Sequence, residues 1–165
     1  MSRPRYRLIV DRLYGSSAAS EVLTALFVDY PDAPADIATE LDFSTVTLDD
    51  VRKARALLLA ITQESLRARG LPDQFVVYRA GHPNNPTYAR LLKRLPITAT
   101  TLDLRVARRH AGLARQRGAD AVVCAYRIGR DDVLADVERI LGPSSLLESE
   151  LLVDPARLTL IECEE

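Results

Sequence analysis

The sequence predicts an α+β fold in a single domain, and three observations predict it. Apolar residues in the first part recur at helical spacing, the texture changes to short β-branched and aromatic runs after Pro72, and turn signals separate those runs from further helical stretches. With 165 residues, 47% of them hydrophobic and 27% charged, the chain has the make-up of one compact soluble domain with a substantial core. The reading divides it into a helical N-terminal region over residues 1–70 and a mixed core over residues 71–165.

A formal net charge of −1 gives no general attraction to nucleic acid or to an anionic membrane. No apolar run approaches the roughly 18 residues of a membrane span. Near the N-terminus the apolar stretch is only "LIV" before Asp11, too short for a secretory core, so no signal peptide is read and a cytoplasmic location is expected.

In order along the chain, "RLIV" reads as a packing element. "SSAASEVLTALFVDY" reads as a helix carrying Val22, Leu23, Leu26 and Phe27, halted at "PDAP". "TLDDVRKARALLLAITQESLRARGLP" is the clearest helix. Thr47 caps it, Asp49 and Asp50 favour the positive end of its dipole, and Val51, Ala54, Leu58, Ile61 and Ser65 share one face, with Leu57 and Leu66 widening it. Gly70 and Pro72 end it.

"FVVY" over 75–78 predicts a strand ending in Arg79, and "AGHPNNP" a loop. "TYARLLKRL" reads as a short helix and "PITATT" as a short strand. "DLRVARRHAGLARQRG" follows as a helix capped by Asp103 and ended by Gly118, its inner face formed by Val106 and Leu113 with His110 or Ala114. "AVVCAYRI" over 121–128 predicts a buried central strand, "DDVLADVERILG" a helix, and "LLV" and "RLTLIE" two closing strands.

Cys124 and Cys163 match neither a zinc spacing nor a CxxC pair and are read as two buried, reduced thiols. His82 and His110 are too few for a histidine-rich metal site, and no metal is expected.

Three features of the second half could carry chemistry: Arg79 at a strand end, the hydroxyls of Thr98, Thr100 and Thr101, and the pair Glu148 and Glu150. A strand-ending arginine is most often a solvated surface residue, threonines are common in strands, and carboxylates at i and i+2 often mark a solvated edge. Their order is more informative. "LPDQFVVYRAG", "PITATTLDLRVARRHA", "AVVCAYRIGRDDVLAD" and "ESELLVDPARLTLIE" together resemble the arginine–serine–glutamate class of ADP-ribosyltransferases over residues 65–165. In that class an aromatic–arginine pair ends the first core strand, a Ser-Thr-Ser segment precedes a helix, and a Glu-x-Glu turn precedes a Leu/Val-rich strand.

The resemblance implies a split core of two small packed β-sheets behind the helical region, with NAD as cosubstrate. It implies that Glu150 hydrogen-bonds a ribose hydroxyl and stabilises developing positive charge, and that Glu148 sits near the acceptor, where a glutamate goes with arginine as target. Arg79 would grip the NAD diphosphate, with Tyr78 and Gly81 in the same NAD-binding segment. Two placements of the hydroxyl segment are open, Thr98-Ala99-Thr100 and Ala99-Thr100-Thr101; the first is expected, with Thr98 as the hydroxyl that orients Glu150 and Thr100 beside it. Tyr88 and Tyr126 are the aromatic candidates for packing on nicotinamide, and His82 could contact the adenosine end.

The implied function is mono-ADP-ribosylation of a host or target protein, as by a phage-encoded modifier or a toxin. The alternatives are a non-catalytic module and an NAD glycohydrolase. Arg105, Arg108, Arg109, Arg115 and Arg117 on one helix read as a solvated face, and in the module reading they would dock on nucleic acid or a protein.

Overall fold

A computed structural model describes residues 2–14, 19–82, 97–142 and 149–164, apart from the side chains of residues 19 and 20. The described residues form an α+β structure of six helices and one six-stranded antiparallel sheet. Helices α1 (Arg5–Leu13), α2 (Ala19–Phe27), α3 (Ala33–Glu40) and α4 (Leu48–Ala68) come first. Strands β1 (Gln74–Gly81) and β2 (Thr98–Thr101) lead into α5 (Leu104–Gln116), and β3 (Val122–Gly129) into β4 (Val133–Asp136). The short α6 (Val137–Leu141), β5 (Glu150–Val153) and β6 (Thr159–Glu164) complete the order. No described helix is long and apolar enough to cross a membrane.

Helix α4 starts where its sequence says it should. The Thr47 side chain accepts from the Asp50 N–H while the Asp50 carboxylate accepts from the Thr47 N–H, a reciprocal cap that satisfies two orphan donors. Val51, Ala54 and Leu58 are buried against α1, α2 and α3, whereas the second half buries Thr62 and Leu66 in place of Ile61 and Ser65. The buried face therefore shifts by one residue where α4 passes from the helical cluster to the sheet.

The helical reading of "DDVLADVERILG" is corrected. Arg130–Asp132 form a 3-10 turn, Val133–Asp136 form β4, and only Val137–Leu141 are α-helical. Val133 and Ala135 are fully buried, and β4 pairs with β5, so a partner strand overrides the local helix propensity. Helix α3 is a second departure: "PDAP" opens a helix as well as closing one, because Pro34 sits in its first turn, where no intrahelical N–H is needed. The short helix read from "TYARLLKRL" lies outside the described residues.

Strand order is β4-β5-β2-β1-β3-β6. β1 and β3 pair along eight register positions, Gln74↔Gly129 through Gly81↔Val122, whereas β1 and β2 meet among the described residues at Tyr78↔Thr101. The two packed sheets expected from the sequence are thus replaced by one, whose halves β4-β5-β2 and β1-β3-β6 join at that position. Phe75, Val77, Cys124, Tyr126 and Ile128 alternate onto one face, in a core shared with Leu66, Leu151 and Val153. Tyr78, Ala80 and Val123 lie on the other, covered by Ala107 and Ala111 of α5. Leu113 is exposed, so the inner stripe of α5 is Val106, Ala107 and Ala111.

The reading of two reduced thiols is also corrected. Cys124 on β3 stands opposite Cys163 on β6, and the two form a disulfide with Cα atoms 4.0 Å apart. Strand pairing closes a sequence separation of 39 residues that no local pattern could bridge.

Candidate active site

The join between the two halves of the sheet is also where the chemistry-bearing side chains gather. Glu150 is paired in register with Thr101, and Thr101 with Tyr78. Residues directly opposite in a sheet project to the same face, so carboxylate, hydroxyl and phenol stand in one row across β5, β2 and β1. The row spans two strand spacings, about 10 Å. Helix α5 roofs it, and a cleft of about 300 Å³ lies between, lined by Tyr78, Arg79, Thr100, Thr101, His110 and Glu150 together with small apolar residues of β1, β2 and α5.

Local sequence explains how each group is held. Arg79 follows Tyr78 on β1 and donates from Nη1 to the Ala99 carbonyl at 2.6 Å, so its guanidinium reaches across from β1 to β2. A guanidinium has five N–H donors in a fork, so a backbone anchor is compatible with further contacts to an oxyanion. Thr100 donates its hydroxyl to the Leu151 carbonyl at 3.1 Å, clamping β2 to β5. Thr101 accepts from the Asp103 N–H at 3.0 Å at the turn into α5, which leaves the hydroxyl a proton to donate. The carboxylate opposite it is half-buried. Just before Glu150, Ser149 adopts φ 47°, the left-handed region that L-residues seldom occupy, and its carbonyl accepts from the Leu102 N–H at 3.2 Å. That turn fixes where β5 begins.

The cleft therefore brings together five of the sequence-predicted site residues: Tyr78, Arg79, Thr100, Glu150 and, from the second placement of the hydroxyl segment, Thr101. The expected Thr98 is not among them. It lies opposite Val153, is only 4% exposed, and its hydroxyl is buried without a hydrogen-bond partner. The register moves the cleft-facing hydroxyl to Thr101. Gly81 is buried at the far end of β1 opposite Val122, outside the cleft lining, and His82 follows it. Tyr126 packs in the sheet core, so it is not placed to stack on a ligand in this cleft. Glu148 and Tyr88 lie outside the described residues.

His110 is the cleft residue whose only role expected from sequence was packing. Val106, Ala107 and His110 occupy one stripe of α5, and all three line the cleft. A single imidazole breaking an otherwise small and apolar stripe was the available signal.

The arginines of α5 are largely occupied within the chain. Arg105 pairs with Asp103 at 2.8 Å, Arg108 with Glu164 at 2.6 Å, and Arg115 donates to the Ala121 carbonyl at 2.7 Å. Hydrogen bonding from Arg105 lowers the Asp103 pKa, and hydrogen bonding from Arg108 lowers that of Glu164.

The chain matches no protein-family model, no curated protein and no solved structure.

Proposed function

We propose that this protein is a mono-ADP-ribosyltransferase that moves ADP-ribose from NAD to a protein acceptor, with arginine as the target residue. One observation carries the reading. Three segments that resemble the family's motifs, separated by long stretches of chain, converge on one cleft through Arg79, Thr101 and Glu150.

The donor set fits the substrate. NAD would supply a ribosyl group whose bond to nicotinamide breaks as positive charge develops at the anomeric carbon, the nicotinamide leaving with the bonding electron pair. Glu150 provides a fixed negative charge and a hydroxyl acceptor facing that carbon, so its interaction strengthens as the charge develops. Thr101, opposite Glu150 in register, has a hydroxyl that can donate to that carboxylate and keep it aimed. Arg79 offers a charged fork to the diphosphate oxygens, holding the substrate from β1 while the reacting end meets β5. The Tyr78 ring supplies an apolar wall. Glu148 is assigned to the acceptor, orienting the guanidinium and taking its proton as the new bond to ribose forms.

Labelled NAD incubated with the protein and cell lysate tests the assignment. Label on a protein together with free nicotinamide is expected, and Glu150→Gln should reduce both by a factor on the order of 10²–10³ while leaving the fold intact. Free nicotinamide without labelled acceptor would make the protein an NAD glycohydrolase. Neither product would leave a binding module.

A further inference from the structure

Among the residues lining the cleft, Glu150 is the one carboxylate, whereas N–H donors come from two walls: Arg79 on β1 and His110 on α5. His110 is exposed, and it lies within one helical turn of Val106 and Ala107, which are buried against the sheet. Its imidazole is therefore carried on a backbone that packing immobilises, with its side chain on the accessible part of the cleft. An imidazole offers at least one N–H in either protonation state. A ligand that gives its ribose hydroxyls to Glu150 has its remaining strong acceptors on the diphosphate. Two donors that line one cleft from different elements match a group rich in acceptor oxygens.

We infer that His110 is a second phosphate contact of the cleft, a positioning residue that holds the diphosphate from α5 as Arg79 holds it from β1. The inference rests on the NAD reading and deepens it. Arg79 is anchored to Ala99 on β2, so it fixes the ligand relative to the strands; His110 fixes it relative to the helix. With both contacts made, the diphosphate bridges α5 and β1. Loss of one donor weakens binding without altering the charge that Glu150 presents to the reacting carbon.

The experiment compares wild type, His110→Ala and His110→Gln by calorimetric titration with ADP-ribose, which carries a diphosphate, and with nicotinamide riboside, which carries no phosphate. His110→Ala is expected to raise the ADP-ribose Kd about tenfold. His110→Gln should recover part of that loss through its amide N–H, and nicotinamide riboside affinity should stay unchanged in all three. In turnover, KM for NAD should rise with kcat held, the pattern of lost uniform binding. Unchanged ADP-ribose affinity in His110→Ala overturns the inference. So does equal weakening of both ligands, which would mark a packing role, and so does a fall in kcat with KM held. Wild type that binds neither ligand removes the NAD reading and this inference together; wild type that binds ADP-ribose as tightly as His110→Ala removes this inference alone.

Discussion

Thr101 on β2 stands opposite Glu150 on β5, while Thr98 stands opposite Val153. Three residues along a strand separate the two threonines by about 10 Å and turn them to opposite faces of the sheet. Only the nearer one shares the cleft with the carboxylate.

Substituting the two threonines separately should therefore split their roles. If Thr101 orients Glu150 as proposed, Thr101→Ala removes a hydroxyl facing that carboxylate, a loss of roughly 1.5–3 kcal/mol, and should slow nicotinamide release by about 10- to 100-fold. Thr98→Ala deletes a hydroxyl that is buried and unpartnered, so it should leave the rate unchanged and hold or raise stability. Initial rates with NAD and thermal melts of both variants measure the contrast. Equal rate losses would show that the register does not select the hydroxyl.

Cys124 and Cys163 tie the edge strand β6 to β3. Most of β6 is exposed, so little burial holds it, and the crosslink has a correspondingly large share in its attachment. Closing a loop across a separation of 39 residues removes denatured-state entropy equivalent to roughly 4 kcal/mol in the chain-entropy model. The double variant Cys124→Ala/Cys163→Ala, or wild type held in dithiothreitol, should melt lower than oxidised wild type by on the order of 10 °C. Thiol titration of the denatured protein before and after reduction reports the bond directly. Two free thiols in protein purified without reductant would remove it.

Much of this architecture was legible in the sequence. The capping pair Thr47 and Asp50 and the apolar spacing of α4 are local signals, and so are the β-branched runs of β1 and β3. What escaped reading depends on strand pairing. β4 is four residues whose strand state is set by β5, the disulfide is set by β3 against β6, and the choice between Thr98 and Thr101 is set by the register of β2 on β5. Sequence supplied the residue types of the cleft; only register determines which of them face it.

The Arg108–Glu164 pair should leave a mark on acid stability. Hydrogen bonding from Arg108 lowers the Glu164 pKa in the folded state. A depressed carboxyl pKa contributes stability that is fully present above the unfolded-state value and is lost as pH falls through the folded-state value. Wild type should therefore exceed Glu164→Gln in stability at neutral pH and lose that advantage below the ordinary glutamate range. The pair is exposed, so the advantage should also shrink in high salt. Urea melts across the acid range, at low and high salt, measure both effects. An advantage independent of pH would assign it to packing of the side chain.

Asp136 should be the most costly polar residue to remove outside the cleft. It is fully buried, accepts from the Ser65 hydroxyl at 2.7 Å, pairs with Arg69 at 3.3 Å and caps α6 through the Arg139 N–H at 3.4 Å. Its own N–H donates to Thr62 at 3.1 Å, so the last turns of α4 are bound to the end of β4 by both backbone and side chain. Asp136→Ala would take the side-chain acceptor from the Ser65 hydroxyl and the first turn of α6, and would leave the Arg69 guanidinium, among the described residues, with Glu138 at 3.4 Å. A loss of roughly 2–4 kcal/mol is expected, as for a buried charge network broken from one side. Ser65→Ala alone should lose about 1 kcal/mol, and the double variant should lose less than the sum, because the two changes remove the same hydrogen bond. Denaturant melts of the four proteins complete the cycle. Strict additivity would show that Ser65 and Asp136 stabilise the fold independently.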